Sequence, residues 1–218
     1  MRFRRKGATG AAPGSDPAGT TAEAGDTTTD ADGQPDTGAG PYDVDDVDVA
    51  GTERVDLGSL LIAPSAGREV RVQVDEKTQA VRSVLVAGPD GAMELRAFAA
   101  PRNGDLWSEV RPQIVADLER RGGRATEREG RFGTELVCRM TVQRQDGTPA
   151  EQPSRVLGFN GPRWLLRATL LGKPAVSAED AKPWEDAFAE VVVRRGAHAM
   201  AVGDPLPIVL PDTARKLG

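Results

Sequence analysis

Apolar and polar positions change their period several times along the chain, and each change marks an element. Val70-Arg71-Val72-Gln73-Val74 alternates strictly, the pattern of a half-buried strand. Just before it, Leu57 to Ile62 is a short apolar run that lies against a core. Val81 to Ala87 and Met93 to Ala99 flank Gly88-Pro89-Asp90-Gly91, which predicts a hairpin closed by a Pro-Asp-Gly turn. The period then lengthens. Trp107, Val110, Ile114 and Leu118 recur at spacings of three and four, placing them on one helical face, with Asp105 as N-cap and Gly122-Gly123 as the stop. Pro112 falls near the start, so the helix is expected either to begin close to it or to bend there.

Alternation returns at Arg124 to Glu129 and over Gly133 to Gln143. In the longer segment Thr134, Leu136, Cys138, Met140 and Val142 share one face, and Glu135, Val137, Arg139 and Thr141 the other. A loop opening at Asp146-Gly147 leads to a strand at Arg155 to Phe159. The turn Gly158-Phe159-Asn160-Gly161-Pro162 then feeds a strand from Arg163 to Leu171. Ser177 with Asp180 resembles a capping box, and Pro183 suits the first position of a helix that carries Trp184, Phe188 and Val191 on one face. The β-branched run Val191-Val192-Val193 turns that helix into a strand. Pro205, Pro207 and Pro211 make residues 203–218 an extended segment running across the body. The order predicts a single α+β domain over residues 54–218, with a mainly antiparallel sheet and two principal helices.

Before this body the pattern vanishes. Residues 1–50 are Gly, Ala, Thr, Asp and Pro with almost nothing bulky before Val44, a composition too poor in apolar surface to offset chain entropy. A disordered leader is the expectation. It also changes the meaning of the formal charge of −5. Arg2, Arg4, Arg5 and Lys6 form a basic start; from Gly7 to Glu53 there are eleven acidic residues and no Lys or Arg. The remainder, Arg54 to Gly218, holds 24 basic against 22 acidic side chains, so the body is close to neutral and rich in arginine. The basic start lacks the apolar stretch a signal peptide requires, and no run approaches the length of a membrane span. The expected location is the cytoplasm. The leader reads first as a solvating tail; contact of its basic start with anionic lipid or nucleic acid, and masking of a basic surface on the body by its acidic tract, are the alternatives.

Candidate chemistry is sparse. One histidine and one cysteine exclude a zinc site and an intramolecular disulfide. His198 lies among Ala197, Ala199 and Met200 without a nucleophile, and Cys138 sits on an apolar strand face as a buried thiol. Phosphate-loop, dinucleotide-binding and nucleophile-elbow glycine patterns are missing, so no cofactor is expected. What remains is arginine. Arg131, Arg139, Arg163 and Arg167 form an anion- or partner-binding patch if their strands are neighbours; the competing arrangement pairs them with Glu127, Glu129 and Glu135 on a solvated face. Trp164 anchors a core beside Leu166 and Leu170, rather than stacking a ring.

The segments Arg131-Phe132-Gly133-Thr134-Glu135-Leu136, Gly161-Pro162-Arg163-Trp164-Leu165-Leu166-Arg167 and Leu206-Pro207-Ile208-Val209-Leu210-Pro211 occur in this order. Over roughly residues 40 to 215 the chain resembles an actinobacterial family known as a domain of unknown function. That resemblance brings no activity, cofactor or catalytic residue. The Gly-Pro-Arg-Trp turn, the Trp-containing helix and the final strand are also similar to the Mog1/PsbP-like α+β fold, which implies a two-layer arrangement and a binding or assembly role. The sequence therefore points to a non-catalytic cytoplasmic interaction module with an unknown protein partner. The alternative is a binder of nucleic acid, nucleotide or phosphometabolite acting through the arginine patch.

Overall fold

The computed structural model describes residues 40–75, 77–78, 80–143 and 146–210. Three short strands come first: β1 (Tyr42–Asp43), β2 (Val55–Asp56) and β3 (Leu60–Ile62). They are followed by β4 (Glu69–Val74), β5 (Val81–Gly88), β6 (Gly91–Ala99) and helix α1 (Leu106–Arg120). Next come β7 (Arg124–Gly130), β8 (Gly133–Gln143), β9 (Pro149–Gly161) and β10 (Trp164–Gly172). A single-turn helix α2 (Lys173–Val176), helix α3 (Ala178–Ala189) and β11 (Val192–Val193) complete the order.

The architecture is α+β and mainly antiparallel. Seven strands form one antiparallel sheet in the order β4-β5-β6-β10-β9-β8-β7, and four short ones form a second in the order β1-β11-β3-β2. The β1–β11 pair is parallel. In the large sheet the β5–β6 hairpin joins the β9–β10 hairpin through β6 and β10, in a register that sets Trp164 opposite Ala99, Arg167 opposite Arg96 and Gly172 opposite Gly91.

Alternation gives the sheet two apolar faces. On one, Val84, Val86, Met93, Leu95, Leu157, Trp164, Leu166 and Leu170 pack with Trp184 and Phe188 of α3 and with Leu60, Val191 and Val193 of the small sheet. On the other, Leu136, Cys138, Val156 and Leu165 meet Leu106 and Trp107 of α1, with Val110, Ile114 and Leu118 alongside. The two principal helices thus cover opposite faces, because the in-facing residues of β8–β10 are apolar at odd and at even positions alike. Trp164 is fully buried, as a core anchor should be.

Several boundaries differ from the sequence expectations for physical reasons. Helix α1 starts at Leu106, where Asp105 accepts a hydrogen bond from the Ser108 N–H (2.9 Å); Pro112 lies inside it on the exposed side. Helix α3 is capped by Ser177, which accepts from the Asp180 N–H (3.2 Å), so Pro183 is an interior residue and not the first one. Strand β9 begins at Pro149, earlier than the expected Arg155. Strand β10 pairs it only as far as Ser154↔Leu171, so the stretch holding Pro149 and Pro153 is an edge where a missing N–H removes no ladder bond.

Tyr42–Asp43, within the stretch that the sequence assigns to the leader, forms β1 beside β11. The disorder expected of the leader falls on residues 1–39, outside the described residues. The C-terminal segment is extended through Leu210. Leu206 N–H bonds the Ala97 carbonyl (2.8 Å) and Val209 N–H that of Leu57 (2.9 Å), tying the large sheet to the small one. Residues 211–218 of the expected extended segment lie outside the described residues.

Candidate functional site

The four arginines singled out by the sequence are not brought together. Arg131, in the β7–β8 turn, bonds Asp186 of α3 and lies 5.3 Å from the centroid of the Phe132 ring. Arg139 on β8 pairs with Glu151 on β9 at 2.7 Å, both exposed. Arg163 occupies the β9–β10 turn in the left-handed region (φ 62°), its carbonyl accepting from the Ala100 N–H at 2.9 Å. Arg167 stands on the opposite face of the sheet from Arg139, two strands away, because β9 separates β8 from β10. The expected partner Glu135 is not solvated at all. It is 1% exposed and accepts from Arg155 (2.7 and 3.1 Å) and from Arg128 (2.8 Å), while Arg155, itself buried, also reaches Glu185 of α3 (2.7 Å). The four charges of this network fasten β7, β8, β9 and α3.

Arg167 has a neighbour that sequence reading did not supply. Arg96 of β6 is its direct cross-strand partner, and each guanidinium lies 5.2 Å from the Phe98 ring centroid. Neither forms an ion pair among the described residues, and the Arg96 Nε is shielded from solvent without a hydrogen-bond partner. Burial, reinforced by the charge of Arg96, holds the Arg167 guanidinium below its ordinary pKa; Glu94 acts in the opposite direction.

A second feature is a broad cleft of about 900 Å³ at one end of the large sheet. The β9–β10 turn, the β7–β8 turn, the start of α1 and the Pro41–Asp46 segment surround it. Its floor is aromatic and closely fitted: Trp107, Phe132 and Trp164 are buried, and Phe159 half-buried. The fit depends on glycine. A Cβ on Gly158 would come within 2.1 Å of the Trp107 ring, and one on Gly161 within 2.1 Å of Trp164. The polar groups near the floor are tied to one another. Asn160 accepts from the Trp107 N–H (3.1 Å) and donates to Asp105 (2.7 Å), Trp107 Nε1 donates to the Thr134 carbonyl (2.6 Å), and Trp164 Nε1 donates to Asp43 (2.6 Å). Burial alone would raise the Asp105 carboxyl, but hydrogen bonds from Ser108 and Asn160, helped by Arg111, hold it below its ordinary range. The rim is left to Asp46, Arg102, Asn103, Glu129 and Pro162, all exposed.

Comparison with known proteins places this geometry in a family. A model described as Protein of unknown function (DUF3710) matches residues 40–216. The chain belongs to the DUF3710 family. No curated protein matches it. Among solved structures, this DUF3710 chain is similar to a Bacteroides thetaiotaomicron protein at 14% identity and a TM-score of 0.40, covering 65% of this chain and 47% of that one. The DUF3710 chain thus spans about half the length of that protein. It is also similar to cyanobacterial PsbP (CyanoP) from Synechocystis at 10% identity and a TM-score of 0.38, covering 67% of this chain and 95% of that one.

Within this DUF3710 chain the single cysteine and the single histidine are both placed apart from the cleft. Cys138 is buried under α1, its thiol pushed up by burial against a weaker opposing hydrogen bond from Ser154. His198 is exposed, and its carbonyl accepts from Arg195 (3.1 Å). Among the described residues no group of three or more His, Cys, Asp and Glu side chains is placed to hold a metal ion, and no helix is long and apolar enough to cross a membrane.

Proposed function

We propose that this protein is a non-catalytic interaction or assembly module of the cytoplasm, and that it receives a polypeptide segment of a partner in the cleft at the end of the large sheet. One observation carries the reading. The side chains that define the cleft, Asp105, Asn160, Trp107 and Trp164, spend their polar groups on each other, on Asp43 and Ser108 and on main chain, which fixes a shape and leaves these polar atoms engaged within the fold. The rim around that floor mixes Arg102 with Asp46 and Glu129, the interspersed polarity of a transient protein interface more than of an enclosed, apolar small-molecule pocket.

A photo-crosslinking residue at Asn103 tests it, with the same residue at Glu119, exposed on α1, as control. The expected result is one discrete adduct in cells from position 103 and not from 119, with binding of the purified partner weakened by Arg102→Glu. Turnover of a defined metabolite by the purified protein, abolished by a single substitution in the cleft, would overturn it. The alternative of a phosphate or nucleic-acid binder draws support from Arg167, through a different constellation from the four arginines first considered.

A further inference from the structure

We propose that Arg96 and Arg167 form a binding site for a phosphate group on the half of the large sheet that α1 leaves uncovered. Helix α1 packs against β7 and β9, and its apolar cluster extends only as far as Phe98 and Leu165. Beyond that line the register of β4, β5, β6 and β10 gives the same face Arg71, Leu85, Glu94, Arg96, Arg167 and Thr169, with Ser83 buried and donating to Gln73.

The placement of the arginines is not what a solvated face would select. Like charges directly opposite each other on neighbouring strands are unfavourable, yet Arg96 and Arg167 are paired in register. Most other arginines of the sheets and helices have a carboxylate: Arg111 has Glu127, Arg128 and Arg155 have Glu135, Arg139 has Glu151. This pair has none within ion-pair distance among the described residues, although Glu94 is on the same face. Phe98 holds both guanidiniums by its ring, which restrains them and supplies no acceptor. The Arg96 Nε, itself shielded from solvent on a half-buried side chain, is a donor without a hydrogen-bond partner. The fold therefore assembles two positive charges and their donors around an aromatic ring and omits the acceptor.

A phosphate group fits that omission better than a carboxylate. At neutral pH a phosphate monoester carries between one and two negative charges, against one for a carboxylate, and offers three oxygens to two planar forks that bind such oxygens in pairs. Glu94 already offers one negative charge nearby and does not close onto either arginine, so the balancing ligand is one that brings more charge than a carboxylate and can span both. The site is on the opposite face from Arg139 and does not depend on the cleft.

Titration of the ¹⁵N-labelled full chain tests it, read from the arginine Nε–Hε resonances. The probes are inorganic phosphate, AMP, adenosine and a short single-stranded DNA. Phosphate and AMP are expected to shift Arg96 and Arg167 saturably and adenosine is not. Equal affinity for phosphate and AMP marks the free anion as the ligand class, and tighter AMP binding marks a phosphorylated metabolite. Arg96→Gln and Arg167→Gln are each expected to weaken binding roughly 10-fold or more, the loss of a charged hydrogen-bonding partner. Arg139→Gln is expected to leave it unchanged. If Arg96→Gln fails to fold by circular dichroism, Arg96→Lys, which keeps the charge and loses the fork, carries the comparison and is expected to weaken binding in the same direction. No shift at Arg96 and Arg167 with either phosphate or AMP, equal weakening in Arg139→Gln, or binding of DNA alone would overturn the proposal.

Discussion

Replacing Arg155 with methionine tests the buried charge network most directly. Arg155 is 4% exposed and donates to Glu135 at 2.7 and 3.1 Å, to Glu185 at 2.7 Å and to the Pro174 carbonyl at 3.3 Å. The substitution keeps the volume of the stem and leaves Glu135, 1% exposed, inside the protein. Breaking a buried pair from one side costs about 3–5 kcal/mol, since the remaining charge keeps its desolvation penalty. Here the lower end applies: Arg128 still bonds Glu135, and Glu185 is near enough to the surface to rehydrate. The expected loss is about 3 kcal/mol, which for a body of this size lowers the melting temperature by about 6–12 °C. Urea unfolding followed by tryptophan fluorescence and by circular dichroism measures it. The double variant Arg155→Met/Glu135→Leu removes the stranded charge as well, and is expected to recover at least about 2 kcal/mol of the loss. A double variant no more stable than Arg155→Met would refute the reasoning, because the penalty would then come from lost packing and not from an uncompensated carboxylate.

Gly158→Ala drives a methyl group into the ring of Trp107 and is expected to destabilise by about 1–3 kcal/mol, with a red shift of the tryptophan emission as α1 is displaced. Asp105→Ala removes a helix cap and the Asn160 contact, costing about 1 kcal/mol in urea unfolding. Because its carboxyl is depressed in the folded state, the stability it contributes is fully present above the unfolded value of about 3.9 and is lost as pH falls through the folded one, so the gap between parent and variant should narrow as pH falls below that unfolded value. Cys138 should resist a thiol reagent at pH 8 in the native protein and react at a rate that rises with urea in step with unfolding; rapid labelling of the folded chain would contradict its burial.

Helix α1 was legible because all its signals are local: four apolar residues on one face, a cap one residue before it and a glycine after it. The same holds for the β5–β6 hairpin around Pro89-Asp90. Alternation alone puts Arg167 on the strand face away from Trp164. Which residues it meets there is decided by strand order, and nothing in the sequence announces that β9 lies between β8 and β10 or that β6 is the other neighbour of β10. Arg96 was missed for that reason. Arg155 was missed because its partners, Glu135 and Glu185, lie 20 and 30 residues away on different elements, and an arginine in a strand looks alike in sequence whether it is buried against two carboxylates or exposed. The first strand hid within an acidic stretch, where Asp43 reads as surface but accepts the indole proton of a buried tryptophan.

The small sheet is drawn from both ends of the body: β1, β2 and β3 fall within residues 42–62, while β11 and the strap that bonds Leu57 and Ser59 fall within residues 192–209. During synthesis on a ribosome the strands of the large sheet emerge in an order that lets its hairpins close early, and β2 can pair with β3 at once, whereas Leu60 and Leu61 must wait for a β11 made some 130 residues later. Over that interval the edge of β3 that β11 will cover, with the side chains of Leu60 and Leu61 destined for burial, has no strand beside it. A nascent chain halted before Val191 therefore carries an open, apolar strand edge, and the step that seals it is among the last in folding.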